Sequence, residues 1–211
     1  MTRRAWPLLA LPVVVLFTAT AAWAAGMTLA TAHLGASAVS TPVMFPDWLA
    51  IANKSGGIAG KVQSGDTVTF VWSQTVDEPT LCSGWSNSSS TQSLTLQWSV
   101  VNGAGGAHDT LQVTGTTPTC AGGLHVGTVD LGAAGYDTST TSIDFPTSTN
   151  SLSFSGVSTI LTVTLNGQVH GTAGTVSSGS AAIWTPDAAT KDRSGRNCVS
   201  CLAQSSTTVQ F

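Results

Sequence analysis

A strict two-residue alternation of apolar and polar side chains limits the fold of this chain more than any other feature. In Ser93–Val100, every second residue from Leu94 onward is apolar and its neighbours are polar. Asp66–Ser73 and Thr159–Leu165 show the same period. Because successive side chains of a strand point to opposite faces of a sheet, this period predicts strands that are buried on one face.

Shorter segments, separated by turns rich in Gly, Asn and Asp, add further candidate strands. They are Ile58–Gln63, Asp109–Gly115, Leu124–Leu131, Ser151–Ser155, Ala181–Trp184 and Ser206–Phe211. After the N-terminal segment, helix is expected over no more than a turn or two, with Pro79–Cys82 as the candidate. Short strands at this spacing predict an all-β fold, an antiparallel β-sandwich, for a domain that spans residues 43–211.

The N-terminal segment has the pattern of an export signal. Met1–Arg4 carries two arginines, Ala5–Ala25 has no charge, and Ala22-Trp23-Ala24 forms an A-x-A site. This order predicts a signal peptide over residues 1–24. An uncleaved hydrophobic anchor helix is the alternative, since the apolar stretch is long enough to span a membrane. Residues 25–42 are rich in Ala, Ser and Thr and are predicted to form a stalk. Either way, we expect an extracellular protein, secreted or anchored at the cell surface, with membrane contact only through this segment.

Export determines how the cysteines are interpreted. Cys82, Cys120, Cys198 and Cys201 are an even set, and an oxidising compartment favours disulfides. Of the three pairings that four cysteines allow, we favour Cys82–Cys120 with Cys198–Cys201. The C-x-x-C spacing of the second pair also occurs in redox dithiols and zinc sites. It lies in a polar turn with no helical pattern after it, which favours a structural disulfide.

Two segments resemble bacterial Ig-like domains of surface-layer and secreted envelope proteins. Ser64–Leu81 reads SGDTVTFVWSQTVDEPTL and is similar to the first long strand of that family. Cys82–Trp85 reads CSGW, which often follows this strand in related secreted modules. Asp192–Asn197 reads DRSGRN and is similar to the closing turn of the family. The resemblance implies an Ig-like β-sandwich that spaces, displays or binds, without implying a ligand.

Few residues suggest ligand chemistry. Asp187, Asp192 and Asn197 offer oxygen atoms in one loop and are candidate calcium ligands, although Asp192 and Asn197 could instead cap their own turn. Trp48 and Trp85 are candidate stacking surfaces for a glycan, with core packing as the alternative. We expect no catalytic residues, no other metal and no cofactor.

Charge and the histidines narrow the function further. Seven Lys and Arg against ten Asp and Glu leave no broad basic face, so we expect no nucleic-acid partner. His33, His108, His125 and His170 share no metal-ligand spacing. The sequence therefore predicts a non-catalytic module of the cell envelope, structural or adhesive, that contacts a protein or a glycan. The alternatives are a carbohydrate-binding module and an extracellular hydrolase. The hydrolase would need a cleft that gathers His125 or His170 with an Asp.

Overall fold

The computed structural model describes residues 44–87, 92–198 and 201–211. The predicted signal or anchor segment at 1–24 and the predicted stalk at 25–42 lie outside these residues. Within the described ranges, no helix combines the length and the apolar character that a membrane crossing requires.

The described chain consists of short strands joined by turns. The strands are β1 (Pro46–Ala52), β2 (Thr67–Trp72), β3 (Gln92–Val101), β4 (Thr110–Val113), β5 (Thr128–Asp130), β6 (Ile143–Ser155), β7 (Ser158–Thr164), β8 (Ile183–Thr185) and β9 (Ala203–Gln204). One turn of α-helix, α1, covers Glu78–Leu81. Pro79 lies in its first turn, where a proline costs no helical hydrogen bond. A 3₁₀ turn covers Ala104–Gly106.

All nine strands belong to one antiparallel sheet, in the order β1-β2-β7-β6-β3-β4-β5-β8-β9. The two end strands also meet, through a single parallel bridge between Leu49 of β1 and Ser205 beside β9. The sheet therefore curls until it is nearly closed, with one face inside. The predicted all-β antiparallel fold is confirmed. An Ig-like sandwich is not confirmed, because the hydrogen-bonded ladder runs through all nine strands as one sheet.

The inside of the sheet holds the apolar half of each alternating strand. Trp72, Trp98 and Trp184 are fully buried at the inward positions that the alternation predicted. The Phe70 ring lies 5.8 Å from the Trp98 ring and 5.0 Å from the Trp184 ring, centroid to centroid. Trp72 meets Trp184 edge to face at 4.9 Å. Edge-to-face and offset aromatic pairs contribute beyond the area they bury, so this cluster is the centre of the core.

Two of the predicted strands are wrong. Ile58–Gln63 forms turns because the Asp66 carboxylate accepts hydrogen bonds from the Lys54 and Gln63 amides, at 2.9 and 2.6 Å, and folds the chain back on itself. Ser206–Phe211 is also irregular, and its last side chain turns inward. Phe211 is buried, and its ring meets the Tyr136 ring at 5.8 Å.

Candidate functional site

A polar pocket of about 370 Å³ opens on the outer face of the sheet, where β4 ends and β5 begins. Gln112 and Thr128, which are register partners, face outward because their strand neighbours Leu111 and Val129 are buried. The lining residues are Gln112, Val113, Thr114, Gly115, Thr116, Gly122, Gly123, Leu124, His125, Gly127, Thr128 and Asp187. Hydroxyl, amide, imidazole and carboxylate groups therefore share one concave surface.

The loop between β4 and β5 is held in place by covalent and backbone links. The disulfide Cys82–Cys120 ties it to the end of α1, with Cα atoms 5.0 Å apart. The His125 amide donates to the Leu81 carbonyl at 2.9 Å, and the Thr190 hydroxyl donates to the His125 carbonyl. His125 thus has its backbone fixed from both sides, so its imidazole is presented to the pocket from a rigid position.

His125 and Asp187 form a pair in the pocket wall. The imidazole Nδ1 lies 3.0 Å from the Asp187 Oδ2, and both side chains are a little more than one-third exposed. The other carboxylate oxygen, Oδ1, accepts the Ala189 amide at 2.8 Å. When the ring donates its Nδ1 proton to the carboxylate and is otherwise unprotonated, Nε2 can accept a hydrogen bond.

The charged form of Asp187 is favoured by its surroundings. Burial raises the pKa of Asp187, but the hydrogen bonds from Ala189 and His125 and the charge of His125 outweigh burial and lower the pKa below 3.8. Asp187 is therefore ionised at neutral pH and can orient His125. A carboxylate that orients an imidazole can serve ligand binding or general-base chemistry.

The other two described histidines make the same kind of pair elsewhere, and His33 lies outside the described residues. His108 Nδ1 lies 2.9 Å from Asp130, and neither residue lines the pocket. His170 Nδ1 lies 3.0 Å from Asp144 Oδ2. Hydrogen bonds within the three pairs are thus alike, and the pair formed by His125 and Asp187 lines the pocket described above.

A hydrogen-bond chain links the pocket to His170. Asp144 Oδ1 accepts the Ser99 hydroxyl at 2.6 Å, and the Ser99 and Thr114 hydroxyls lie 2.5 Å apart. Thr114 lines the pocket and its hydroxyl also accepts the Gln97 amide at 3.2 Å. Burial raises the pKa of Asp144, while its bonds from Ser99, Ser142 and His170 and the charge of His170 bring the net value below 3.8.

The candidate calcium ligands are already engaged in hydrogen bonds and ion pairs within the protein. Asp192 is almost fully buried, and its Oδ1 accepts the Ser194 and Arg196 amides at 2.8 and 3.0 Å. Its Oδ2 meets the Arg196 guanidinium at 2.8 Å. Asp187 pairs with His125, and the Asn197 amide donates to the Ala188 carbonyl at 2.9 Å. In the described ranges, no group of three or more His, Cys, Asp or Glu side chains is arranged to hold a metal ion. The alternative in which Asp192 caps its own turn agrees with this geometry.

The glycan-stacking pair of tryptophans is not formed. Trp85 is only 5% exposed, because the chain after Cys82 turns inward beside the disulfide, and it offers no open ring face. Trp48 is 46% exposed on β1 and does not line the pocket. Trp85 is therefore removed as a stacking candidate, whereas Trp48 keeps an exposed ring.

Both predicted disulfides are confirmed. Cys82 pairs with Cys120, and Cys198 pairs with Cys201 with Cα atoms 5.7 Å apart. Two disulfides are compatible with an extracellular protein. Sequence reasoning missed Gln112, Thr114 and Thr128 as pocket residues, since a Thr or Gln on an outward strand position carries no local signal of a site.

No protein-family model, curated protein or solved structure matches this chain. The resemblance of Ser64–Leu81 and Asp192–Asn197 to bacterial Ig-like envelope domains therefore stays a prediction.

Proposed function

We propose that this chain is an exported, non-catalytic module of the cell envelope that binds a neutral glycan in the pocket beside His125. Export is supported by the A-x-A site that follows the apolar N-terminal segment and by the two disulfides. An Ig-like origin is supported by the resemblance of the SGDTVTFVW and DRSGRN segments alone.

The observation that carries this proposal is the placement of the His125–Asp187 pair in a polar pocket of about 370 Å³. Ligand pockets of proteins combine a concave surface with a few fixed polar groups, and this volume lies within their usual range of roughly 300–1,000 Å³. The loop that carries His125 is fixed by a disulfide and by backbone bonds, so its polar groups are ordered before a ligand arrives. Such preorganisation lowers the entropy cost of binding.

The chemistry of the lining favours a neutral, hydroxyl-rich ligand. No Lys or Arg is among the described residues that line the pocket, so a phosphate, sulfate or nucleic acid would find no permanent cation. Gln112, Thr114 and Thr128 supply both donors and acceptors, which suit sugar hydroxyls. Val113, which is partly buried, supplies a small apolar surface that the C–H face of a sugar ring can cover.

Binding to an array of glucose, mannose and N-acetylglucosamine oligosaccharides tests the proposal. We expect at least one series to bind the full exported chain, and His125→Ala or Asp187→Asn to weaken that binding by at least about 10-fold, or roughly 1.4 kcal/mol. His108→Ala is the matched control, because it breaks a His–Asp pair of the same geometry outside the pocket. Absence of binding to every series, or binding that survives both pocket variants, would overturn the proposal.

An extracellular hydrolase is the second candidate, favoured by one observation. The predicted condition for it, a cleft that gathers His125 or His170 with an Asp, is met by His125 and Asp187. In such an enzyme, Asp187 would orient His125 to take a proton from water, and that water would add across the scissile bond. Incubation of the same oligosaccharides with the protein, followed by an assay for new reducing ends, separates the two candidates. If the wild type releases new reducing ends and the His125→Ala variant does not, hydrolysis replaces binding as the proposed function.

A further inference from the structure

The pocket continues into a row of polar side chains that crosses five strands on the outer face. The register pairs Thr185 of β8 with Thr128, Thr128 with Gln112, Gln112 with Ser99, and Ser99 with Asp144 of β6. Every residue in this row is polar, whereas the neighbouring positions Trp184, Val129, Leu111 and Val100 are buried on the inner face. We call these five residues the polar row.

The polar row overlaps the pocket at Gln112 and Thr128, and it reaches His170 through Asp144. Gln112 and Thr128 belong to both the row and the pocket. Beyond Gln112, the hydrogen bonds from Thr114 to Ser99 and from Ser99 to Asp144 fix the hydroxyls and the carboxylate against each other. Asp144 then holds His170, whose side chain is 71% exposed. A chain of hydrogen bonds therefore links the pocket to an imidazole that faces solvent, and it runs through Ser99, which is itself buried.

The dimensions of the row fit a chain-like ligand better than a single sugar. Strands in a sheet are spaced by about 4.8 Å, so the four steps from Thr185 to Asp144 span roughly 19 Å. A monosaccharide in the pocket would leave Asp144 and the exposed His170 beyond the row unused. No Lys or Arg lies in the row, so the row, like the pocket, presents polar side chains without a permanent positive charge.

We infer that the ligand is a linear neutral oligosaccharide, held at one end by the pocket and extended across β4, β3 and β6 to His170. This inference rests on the proposed glycan-binding function and adds the length and the direction of the ligand. Gln112 and His170 contact the sugar hydroxyls directly, and Ser99, which is buried, acts as a positioning residue for Thr114 and Asp144.

Calorimetric titration with one-unit and four-unit oligosaccharides of glucose, mannose and N-acetylglucosamine tests the inference. We expect the four-unit ligand of the recognised series to bind at least 10-fold more tightly than the one-unit ligand. His170→Ala should reduce this length dependence and leave the one-unit affinity unchanged, whereas His125→Ala should weaken both ligands. His108→Ala, which alters a pair off the polar row, should change neither.

The outcomes separate the inference from the function on which it rests. Equal affinity for both lengths, with His125→Ala still weakening them, would overturn the extended ligand and leave pocket binding intact. A length dependence that survives His170→Ala would overturn the direction across β6. Failure of every length to bind would overturn the proposed function and the inference together. Thermal unfolding of each variant identifies any loss of binding that comes from loss of the fold.

Discussion

Asn150 illustrates how a polar residue can belong to the core of this molecule. It lies inside the sheet on β6, where its Oδ1 accepts the Trp98 indole N–H at 2.8 Å. Its amide donates to the carbonyls of Leu94 and Ser148, each at 3.2 Å. A buried polar group that makes its hydrogen bonds avoids the large cost of desolvation without a partner. Asn150 therefore fixes the indole of Trp98, and a hydropathy pattern could not have placed it inside.

At the same scale, Asp192 should make stability depend on pH. Burial raises the pKa of Asp192, but the amides of Arg196 and Ser194 and the Arg196 guanidinium outweigh burial and lower the pKa below 3.8. A carboxyl whose pKa is lower in the folded state stabilises the fold above its unfolded pKa, and this contribution is lost as the pH falls through the folded value. We expect the free energy of unfolding to decrease below about pH 4, as followed by urea unfolding.

Asp192→Asn isolates this contribution. The amide oxygen can still accept the backbone bonds, but the charge opposite Arg196 is gone, and hydrogen bonds to charged groups contribute about 1.5–3 kcal/mol. The variant should therefore be less stable at pH 7 and should lose less stability than the wild type between pH 5 and pH 3. Asp47→Asn, an exposed position on β1, is the control and should leave the profile unchanged. An Asp192→Asn profile parallel to that of the wild type would contradict the assignment.

At the scale of elements, the sequence predicted strands where alternation is unbroken and missed them where it is interrupted. β1 was missed because its register with β2 shifts between Pro46 and Trp48, so its buried residues are not spaced by two throughout. The first half of β6 was missed because it contains Pro146 and its partner β3 has an irregularity between Leu96 and Trp98. A bulge changes which residues face inward, and only the paired strand reveals it.

The candidate site was predictable only in part, for a related reason. Sequence reasoning stated that an extracellular hydrolase, one of the alternatives, would need a cleft that gathers His125 or His170 with an Asp, and both histidines do pair with one. The partner of His125 is Asp187, which lies 62 residues away in the chain. No local pattern links the two positions, because the sheet order that brings β5 beside β8 is a property of the whole ladder.

The loop between β4 and β5 should depend on its disulfide. Removing Cys82–Cys120 with Cys82→Ala and Cys120→Ala opens a link between residues 38 apart, which the chain-entropy model values at about 3–4 kcal/mol. We expect the melting temperature, measured by circular dichroism, to fall by roughly 10 °C. The matched control is Cys198→Ala with Cys201→Ala, which removes a link between residues only 3 apart and should cost less.

The double variant without Cys82–Cys120 also tests whether this disulfide holds the pocket in shape. The disulfide fixes the turn that precedes His125, so its removal should weaken glycan binding more than its control does. A melting temperature that matches the wild type would show that the backbone bonds of the loop suffice. An equal loss in the two double variants would show that the loop length between the cysteines is unimportant.

At the scale of the whole molecule, the final residues hold distant loops together. The Gly60 amide donates to the Phe211 carbonyl at 2.7 Å, and the Val176 amide donates to the Gly60 carbonyl at 2.8 Å. The Gln210 amide donates to the Tyr136 hydroxyl at 2.7 Å. Three loops from different parts of the chain therefore meet at Phe211, which belongs to the irregular region that follows β9.

Phe211→Ala should loosen this junction and lower the stability of the whole molecule. Truncation of a buried phenylalanine costs about 3–5 kcal/mol, which corresponds to a fall in melting temperature of roughly 10 °C for a domain of this size. Tyr136 provides a second measurement, because it is the single tyrosine of the chain. Burial raises the pKa of Tyr136 above 10.0, and exposure in the variant should bring this pKa back towards that value.

Ultraviolet titration of the phenol distinguishes a loosened junction from a general loss of packing. Phe45→Ala removes a ring of the same size from a position that is 45% exposed, so it should change neither the melting temperature nor the pKa of Tyr136 substantially. If Phe211→Ala melts early but leaves the pKa of Tyr136 raised, the ring stabilises the core without covering the phenol. If neither quantity changes, the loops are held by the backbone bonds alone, and Phe211 contributes only its carbonyl to the junction.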